Sequence, residues 1–375
     1  MAASRIIHQL GCALTVLALA PLGVVCSGLV GLGWFAESPG LFLLAVVLAS
    51  SATVPWTMAL LWLDRHEKEP WWLLGGAFAW GAIVATAWSG LANSLFFAVV
   101  HALTGAEQAS WQITASVSAP VVEELSKGVA IAGIALVFRH HFDNVLDGMI
   151  YGAMVGMGFA WFENITYYMQ SSEEGVGSMV QLSVVRGVFN GVSTHATFSA
   201  LAGVGFGYAR LASSRWKGWL AIGASLLLAM GAHVAWNSFS GVIAVIPGDG
   251  ASAFFVGVPL AMLVLALPFG LLLLAVLGMC WAHENRVIVE HLADEAPEVC
   301  APSTLRELVP ARRRSMRGAR RLLTEGPGSW WRTRRRHQAL VDLAFAKWHA
   351  SREGREGPDP TVVALRERLR RMAGA

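Results

Sequence analysis

Long apolar stretches separated by short polar breaks fill the first three quarters of this 375-residue chain. They lie near residues 9 to 34, 39 to 63, 71 to 100, 110 to 138, 146 to 170, 179 to 209, 217 to 246 and 252 to 281. A hydrocarbon layer of about 30 Å takes roughly 20 helical residues to cross. Lipid offers no partner to a free backbone group, so each stretch has to be helical. The pattern therefore predicts an all-α, polytopic transmembrane bundle of about eight spans. The first run follows Arg5 and contains Ala18-Leu-Ala-Pro21, as a signal peptide could, but it stays apolar as far as Phe35. That is longer than a signal h-region, and a retained helix is expected.

From residue 282 the pattern shifts to amphipathic segments at 303 to 323, 330 to 351 and 361 to 372. Pro302, Gly326, Pro327, Gly357, Pro358 and Pro360 punctuate them. Two regions are expected: a membrane region, 1–281, and a helical tail, 282–375.

Composition agrees with the pattern: 55% of residues are hydrophobic and 14% charged, which no soluble globule could cover. Charge then orients the chain. Arg5, the pair Arg65 and Lys68, Arg139, and the trio Arg210, Arg215 and Lys217 mark every second connection, and the connections between them hold no Lys or Arg. By the positive-inside rule both termini are cytoplasmic. The tail holds 19 Lys plus Arg against 12 Asp plus Glu. It suits a solvated cytoplasmic segment or one lying on the anionic inner leaflet of the bilayer. No nucleic-acid-binding module is recognisable, so no nucleic-acid partner is expected. Cys12, Cys26, Cys280 and Cys300 show no CxxC spacing, and no disulfide is expected.

Seven ionisable residues interrupt the apolar spans: Glu123, Glu124 and Lys127 in the fourth, Glu163 in the fifth, Arg186 and His195 in the sixth, and His233 in the seventh. Five of these are ordinarily charged, and unpaired at mid-helix they would cost on the order of 12 to 18 kcal/mol. They must be paired, hydrated or coordinating something. Counted from the span ends they fall near one depth, which scattered structural ion pairs would have no reason to share. His233 with Asn237, and His195 with Ser199, are i and i+4 on one face, while Lys127 reaches both Glu123 and Glu124. Gly148, Gly152 and Gly156, and Gly203 with Gly207, are spaced for close helix packing.

Such a chamber could do several things. Peptide hydrolysis in a membrane needs an activated water, a donor for the leaving amine and oxyanion stabilisation. A glutamate, histidines and an asparagine can supply all three, and two histidines with a glutamate are also a zinc set. HExxH, GxSxG and GxGD patterns are absent. A proton- or ion-coupled transporter uses similar residues but predicts internal repeats, and none is convincing here. A non-catalytic scaffold is the third possibility.

Five segments, in order, carry a family resemblance. Glu123-Glu124-Leu-Ser-Lys127 resembles the EExxK motif of the PrsW intramembrane proteases. Phe159-Ala-Trp-Phe-Glu163-Asn164 looks like their FxxxEN segment, Arg186 to His195 and Ser199 like their R-to-H stretch, and His233-Val-Ala-Trp-Asn237 like their HALWN. Asp64-Arg-His-Glu67-Lys-Glu69-Pro70 resembles the DxxExEP signature. Lys68 where the family often has Pro, Val234 for Ala, and the long tail are departures. The resemblance implies cleavage of a single-pass membrane protein in a bacterial plasma membrane, an anti-sigma factor in the namesake system. It implies water activation by Glu123 or Glu124, metal or transition-state contacts from His195 and His233, a supporting or ligand role for Glu163, and oxyanion contact from Asn237. Lys127, Asn164, Arg186 and Ser199 would support them. The related prenyl-protease superfamily is read both with and without zinc, so Glu163, His195 and His233 stand as a conditional metal set.

Overall fold

The computed structural model describes residues 2–64, 66–248, 250–309, 311–352 and 359–373. Arg65, Gly357 and Pro358 lie outside them, as do the side chains of Arg5 and Cys12. The described residues contain helices and no strand, and they form two compact units, residues 1–63 with 69–275, and 64–68 with 276–375.

In the first unit α1 (Ala2–Glu37) and α2 (Pro39–Leu63) are followed by α3 (Trp71–Ala79), which runs through a π turn at Trp80–Ala85 into α4 (Thr86–Thr104). Next come α5 (Glu107–Ile113), a π turn at Thr114–Ser118 and α6 (Ala119–Val137), then α7 (Val145–Ser171). The chain continues through α8 (Val176–Ser183), a π turn at Val184–Asn190 and α9 (Gly191–Leu211) to α10 (Arg215–Val245). Short α11 (Val258–Ala261), with a π turn on either side, leads into α12 (Leu267–Leu292), whose residues from 276 onward belong to the second unit. The ends follow local chemistry. Gly105 takes φ +65° to close α4 on the His101 carbonyl, and Asn144 and Asp147 form a capping box at the start of α7.

Six of these rods are long and apolar enough to cross a membrane: 18–37, 39–63, 71–104, 145–174, 215–243 and 253–292. The chain is thus a helical membrane bundle. The rods at 107–137 and 176–211 complete the expected eight as helices but are not among the six. The first of them concentrates Glu107, Glu123, Glu124 and Lys127, and such charge dilutes the apolar signal that identifies a span.

Helix α7 is the axis of this unit. In its span 83% of the most apolar window is buried, against 11–22% in the other five, as expected of a helix that is apolar all round. Its glycines explain the burial. A Cβ at Gly148, Gly152 or Gly156 would lie 2.2, 2.2 or 2.3 Å from the carbonyl oxygens of Gly203, Ser199 or His195 on α9. On another face of α7, Gly158 meets the Phe78 carbonyl of α3 at 1.9 Å in the same sense. Backbone touches backbone, so the height of α9 against α7 is fixed without an intervening side-chain layer.

In the second unit, residues 64–68 join α13 (Pro302–Leu308), α14 (Ala311–Arg352) and α15 (Pro360–Ala373). Its core gathers Ile288, Leu292, Val299, Leu308, Leu340, Leu343, Phe345 and Leu369. Gly326, at φ +84°, breaks α14 into two arms before Pro327. The loop is held by His66 Nδ1 on Glu284 at 2.7 Å and by Gln338, which donates to the His66 carbonyl.

Candidate active site

The polar residues of the spans converge. Glu123, Glu124 and Lys127 come from α6, Glu163 and Asn164 from α7, Arg186 from the π turn before α9, His195 and Ser199 from α9, and His233 from α10. Both α6 and α9 are entered through a π turn. Each extra residue rotates the following face by about 100°, a re-phasing upstream of Glu123 and His195.

Lys127, fully buried, is the hub. Its ammonium donates to Glu124 Oε1 at 2.6 Å, lies 3.4 Å from His195 Nδ1 and 3.9 Å from Glu123 Oε2, and sits 4.3 Å above the Phe159 ring. Glu124 also accepts from His233 Nδ1 at 3.0 Å and from Ser199 Oγ at 3.4 Å. A second carboxylate is arranged in the same way: Glu163 Oε2 accepts from His195 Nε2 at 3.0 Å and from Arg186 at 2.6 Å. The Arg186 Nε–H donates to Asn164 Oδ1 at 2.8 Å, and its guanidinium covers the Tyr167 ring at 3.9 Å.

Carboxylates accept, so the imidazole nitrogens that face them carry the protons. His233 is then protonated on Nδ1 and His195 on Nε2, which leaves one lone-pair nitrogen on each ring. This is how carboxylate partners set the tautomer of histidines at metal and catalytic centres. The rings lie 5.1 Å apart at 86°. Phe198 stacks on His233 at 5.0 Å, and Phe159 lies 5.2 Å from His195.

Glu123 differs from the other two carboxylates. Its Oε2 is buried with no hydrogen-bond partner among the described residues, and Lys127 Nζ and His233 Nε2 each lie 3.9 Å from it. Three carboxylates face two permanent cations, so the cluster carries one excess formal negative charge, which a proton or a cation would offset.

Among the described residues, Glu123, His195 and His233 form the one fully buried group whose donor atoms all lie within 4.8 Å of one another. A carboxylate with an unpartnered oxygen and two imidazoles is a donor set that first-row divalent metals accept. Glu163, expected in the metal set on the sequence, is tied to Arg186 and His195 and is not part of this group, which has Glu123 instead. Asn237 is not drawn into the cluster's hydrogen bonds: its Nδ2 donates to the Ala115 carbonyl at 2.9 Å. On the sequence Phe159 enters only as the first residue of the FxxxEN segment and Phe198 is not singled out, although Phe159 is four residues before Glu163 and Phe198 three after His195, a spacing that puts each pair on one helix face.

Comparison with known proteins gives this geometry a lineage. The chain is 31% identical over 150 residues to a protein named Protease PrsW from Geobacillus kaustophilus, covering 40% of this chain and 59% of that one. It is 26% identical over 169 residues to a protein of the same name from Oceanobacillus iheyensis, covering 45% and 71%. Over 80 residues it is 38% identical to the Bacillus subtilis protein, covering 21% and 33%. The chain thus spans about three fifths of the length of the first of these relatives. No solved structure matches it. The family model described as PrsW family intramembrane metalloprotease matches residues 69–268, more than half of the chain and all of the helices that build the cluster, and the chain therefore belongs to the PrsW family.

Proposed function

We propose that this protein hydrolyses a peptide bond of a membrane-anchored protein, with Glu123 as the reactive carboxylate. The observation that carries this reading is a buried Glu123 oxygen without a hydrogen bond among the described residues, set between two histidines whose tautomers are fixed by other glutamates. Glu124 and Glu163 orient His233 and His195. Lys127 and Arg186 neutralise those two carboxylates, which leaves Glu123 without a close partner. A water between Glu123 and the imidazoles would give its proton to Glu123 Oε2 as it attacks the carbonyl, and the carboxylic acid so formed would deliver that proton to the leaving amine. The second Nδ2 hydrogen of Asn237, beyond the one given to Ala115, is a donor for the oxyanion.

Glu123, His195 and His233 would hold a zinc ion, which when bound supplies Lewis-acid polarisation of the carbonyl and a more acidic water. The substrate is a single-pass membrane protein, of which an anti-sigma factor is one example. The chain sits in a bacterial plasma membrane with both termini cytoplasmic, and its basic tail lies on the anionic leaflet.

The test is reconstitution with candidate single-pass substrates. Wild-type protein yields fragments that Glu123→Gln protein does not; identical fragments from both would remove the catalytic claim. Full turnover after rigorous metal extraction would rule out the zinc-bound form.

A further inference from the structure

Two buried polar groups beside the cluster are used by none of these steps. Asn164 and Tyr168 are four residues apart on α7, one turn apart on the same face, and both are fully buried. A guanidinium only donates, so the bond from Arg186 Nε to Asn164 Oδ1 fixes the orientation of the amide and turns Nδ2 the other way. Among the described residues neither Asn164 Nδ2 nor Tyr168 Oη has a hydrogen-bond partner. Buried donors are rarely left so, and two on one helical face point to a shared ligand. An amide N–H and a phenolic O–H beside a guanidinium call for oxygen acceptors.

A spanning substrate satisfies its own backbone while it is helical, and that hides the bond to be cut. The cut segment has to unwind, and the carbonyls it frees need donors from the protein because lipid has none. Along an extended strand, carbonyls on the same side recur every two residues, roughly 6.6 Å. Helix positions i and i+4 are separated by about 6 Å along the axis. The two repeats match.

We propose that Asn164 and Tyr168 form a backbone-binding subsite. An extended substrate segment runs along α7, with alternate carbonyl oxygens on Asn164 Nδ2 and Tyr168 Oη, and with its scissile bond at the Glu163 end. Entry is lateral, between α2 and the 176–190 rod. Beside Tyr168 the contact is made by small residues, Ala45 and Ala49, and a Cβ at Gly187 would lie 2.8 Å from Ala52 Cβ and 3.8 Å from Tyr168 Oη, while Met179 and Leu182 pack in the same cluster. The inference rests on the proteolytic reading and deepens it by naming the conformation in which the substrate is held.

The experiment uses full-length Glu123→Gln protein in nanodiscs, so that binding is read without turnover. The probe is a fluorescein-labelled polyleucine transmembrane peptide with a central Gly-Ser-Gly break, followed by anisotropy. Tyr168→Phe and Asn164→Asp, which keeps the Oδ1 acceptor for Arg186 and removes the Nδ2 donor, should each weaken binding by about 5–10-fold, one hydrogen bond's worth, with melting temperatures unchanged. An uninterrupted polyleucine peptide should bind less tightly than the broken one. Unchanged affinity in both variants, losses that only follow a fall in melting temperature, or no binding to the parent protein would overturn the subsite. Repeating the assay with Glu123 restored separates the two readings: binding with this dependence but without cleavage refutes proteolysis and leaves the subsite standing.

Discussion

Two glutamates with little-exposed side chains, one in each unit, make the clearest contrast in this molecule. Glu295 in the tail unit is saturated: Arg366 donates to both of its oxygens, at 2.7 to 3.1 Å, and Lys347 to one at 2.9 Å. Burial by itself would raise its carboxyl, but the bonds from Arg366 and Lys347 outweigh that and hold it below the ordinary carboxylate range. Glu123 in the membrane unit is equally removed from solvent, yet its nearest cation is 3.9 Å away and one oxygen has no donor. The first arrangement is what stability alone selects. The second forgoes stability at one atom, which is where chemistry needs a free acceptor.

The largest expected effect sharpens that contrast. Glu123→Gln should lower the rate of substrate cleavage by about 10²–10⁴-fold, the usual contribution of a positioned general base, while the melting temperature stays level or rises because the excess charge is gone. A fall in stability with activity retained would place Glu123 among the structural groups. Lys127→Met removes the hub instead and strands two buried carboxylates, so it should destabilise the membrane unit by about 3–5 kcal/mol, read as unfolding in detergent. Gly156→Ala pushes a methyl into the His195 carbonyl and should cost activity by about 10²-fold through misplacement of the imidazole, measured as turnover at matched folded protein.

Smaller effects are expected in the tail. Glu295→Gln should cost about 1–2 kcal/mol, less than a buried charge pair because the Arg366 side chain is 34% exposed. Its carboxyl pKa is depressed in the folded state, so the stabilisation is complete above the unfolded value, near 4, and is lost as pH falls through the lower folded one. Acid unfolding of the tail, followed by the fluorescence of a Trp348-only variant, should therefore begin at higher pH in Glu295→Gln. Gly326→Ala, at φ +84°, should cost about 1 kcal/mol and leave cleavage unchanged.

Much of this was legible in the sequence because lipid is a strict solvent. Eight apolar runs became eight helical rods, and charged residues inside them had to find one another, so Glu123, Glu124, Lys127, Glu163, Arg186, His195 and His233 could be collected before any coordinates. Their division of labour could not. Whether Glu123 or Glu163 completes the donor triad depends on which carboxylate Arg186 occupies, and that turns on a π turn with no signature in Val184–Asn190. The residues at 64–68 group with the tail through His66 and Glu284, 218 positions apart, a pairing that no local pattern encodes. GxxxG spacing announced close packing but could not say that Gly156 would rest on the backbone of His195.

That last contact has a mechanical consequence. With no side chains between them, α7 and α9 have no rotamers to exchange and no slack to take up, so they behave as one beam. The distance between the carboxylate that α7 carries and the imidazole that α9 carries is then set when the protein folds. On the proteolytic reading, a substrate must bend to the protein, because these two helices cannot adapt to it.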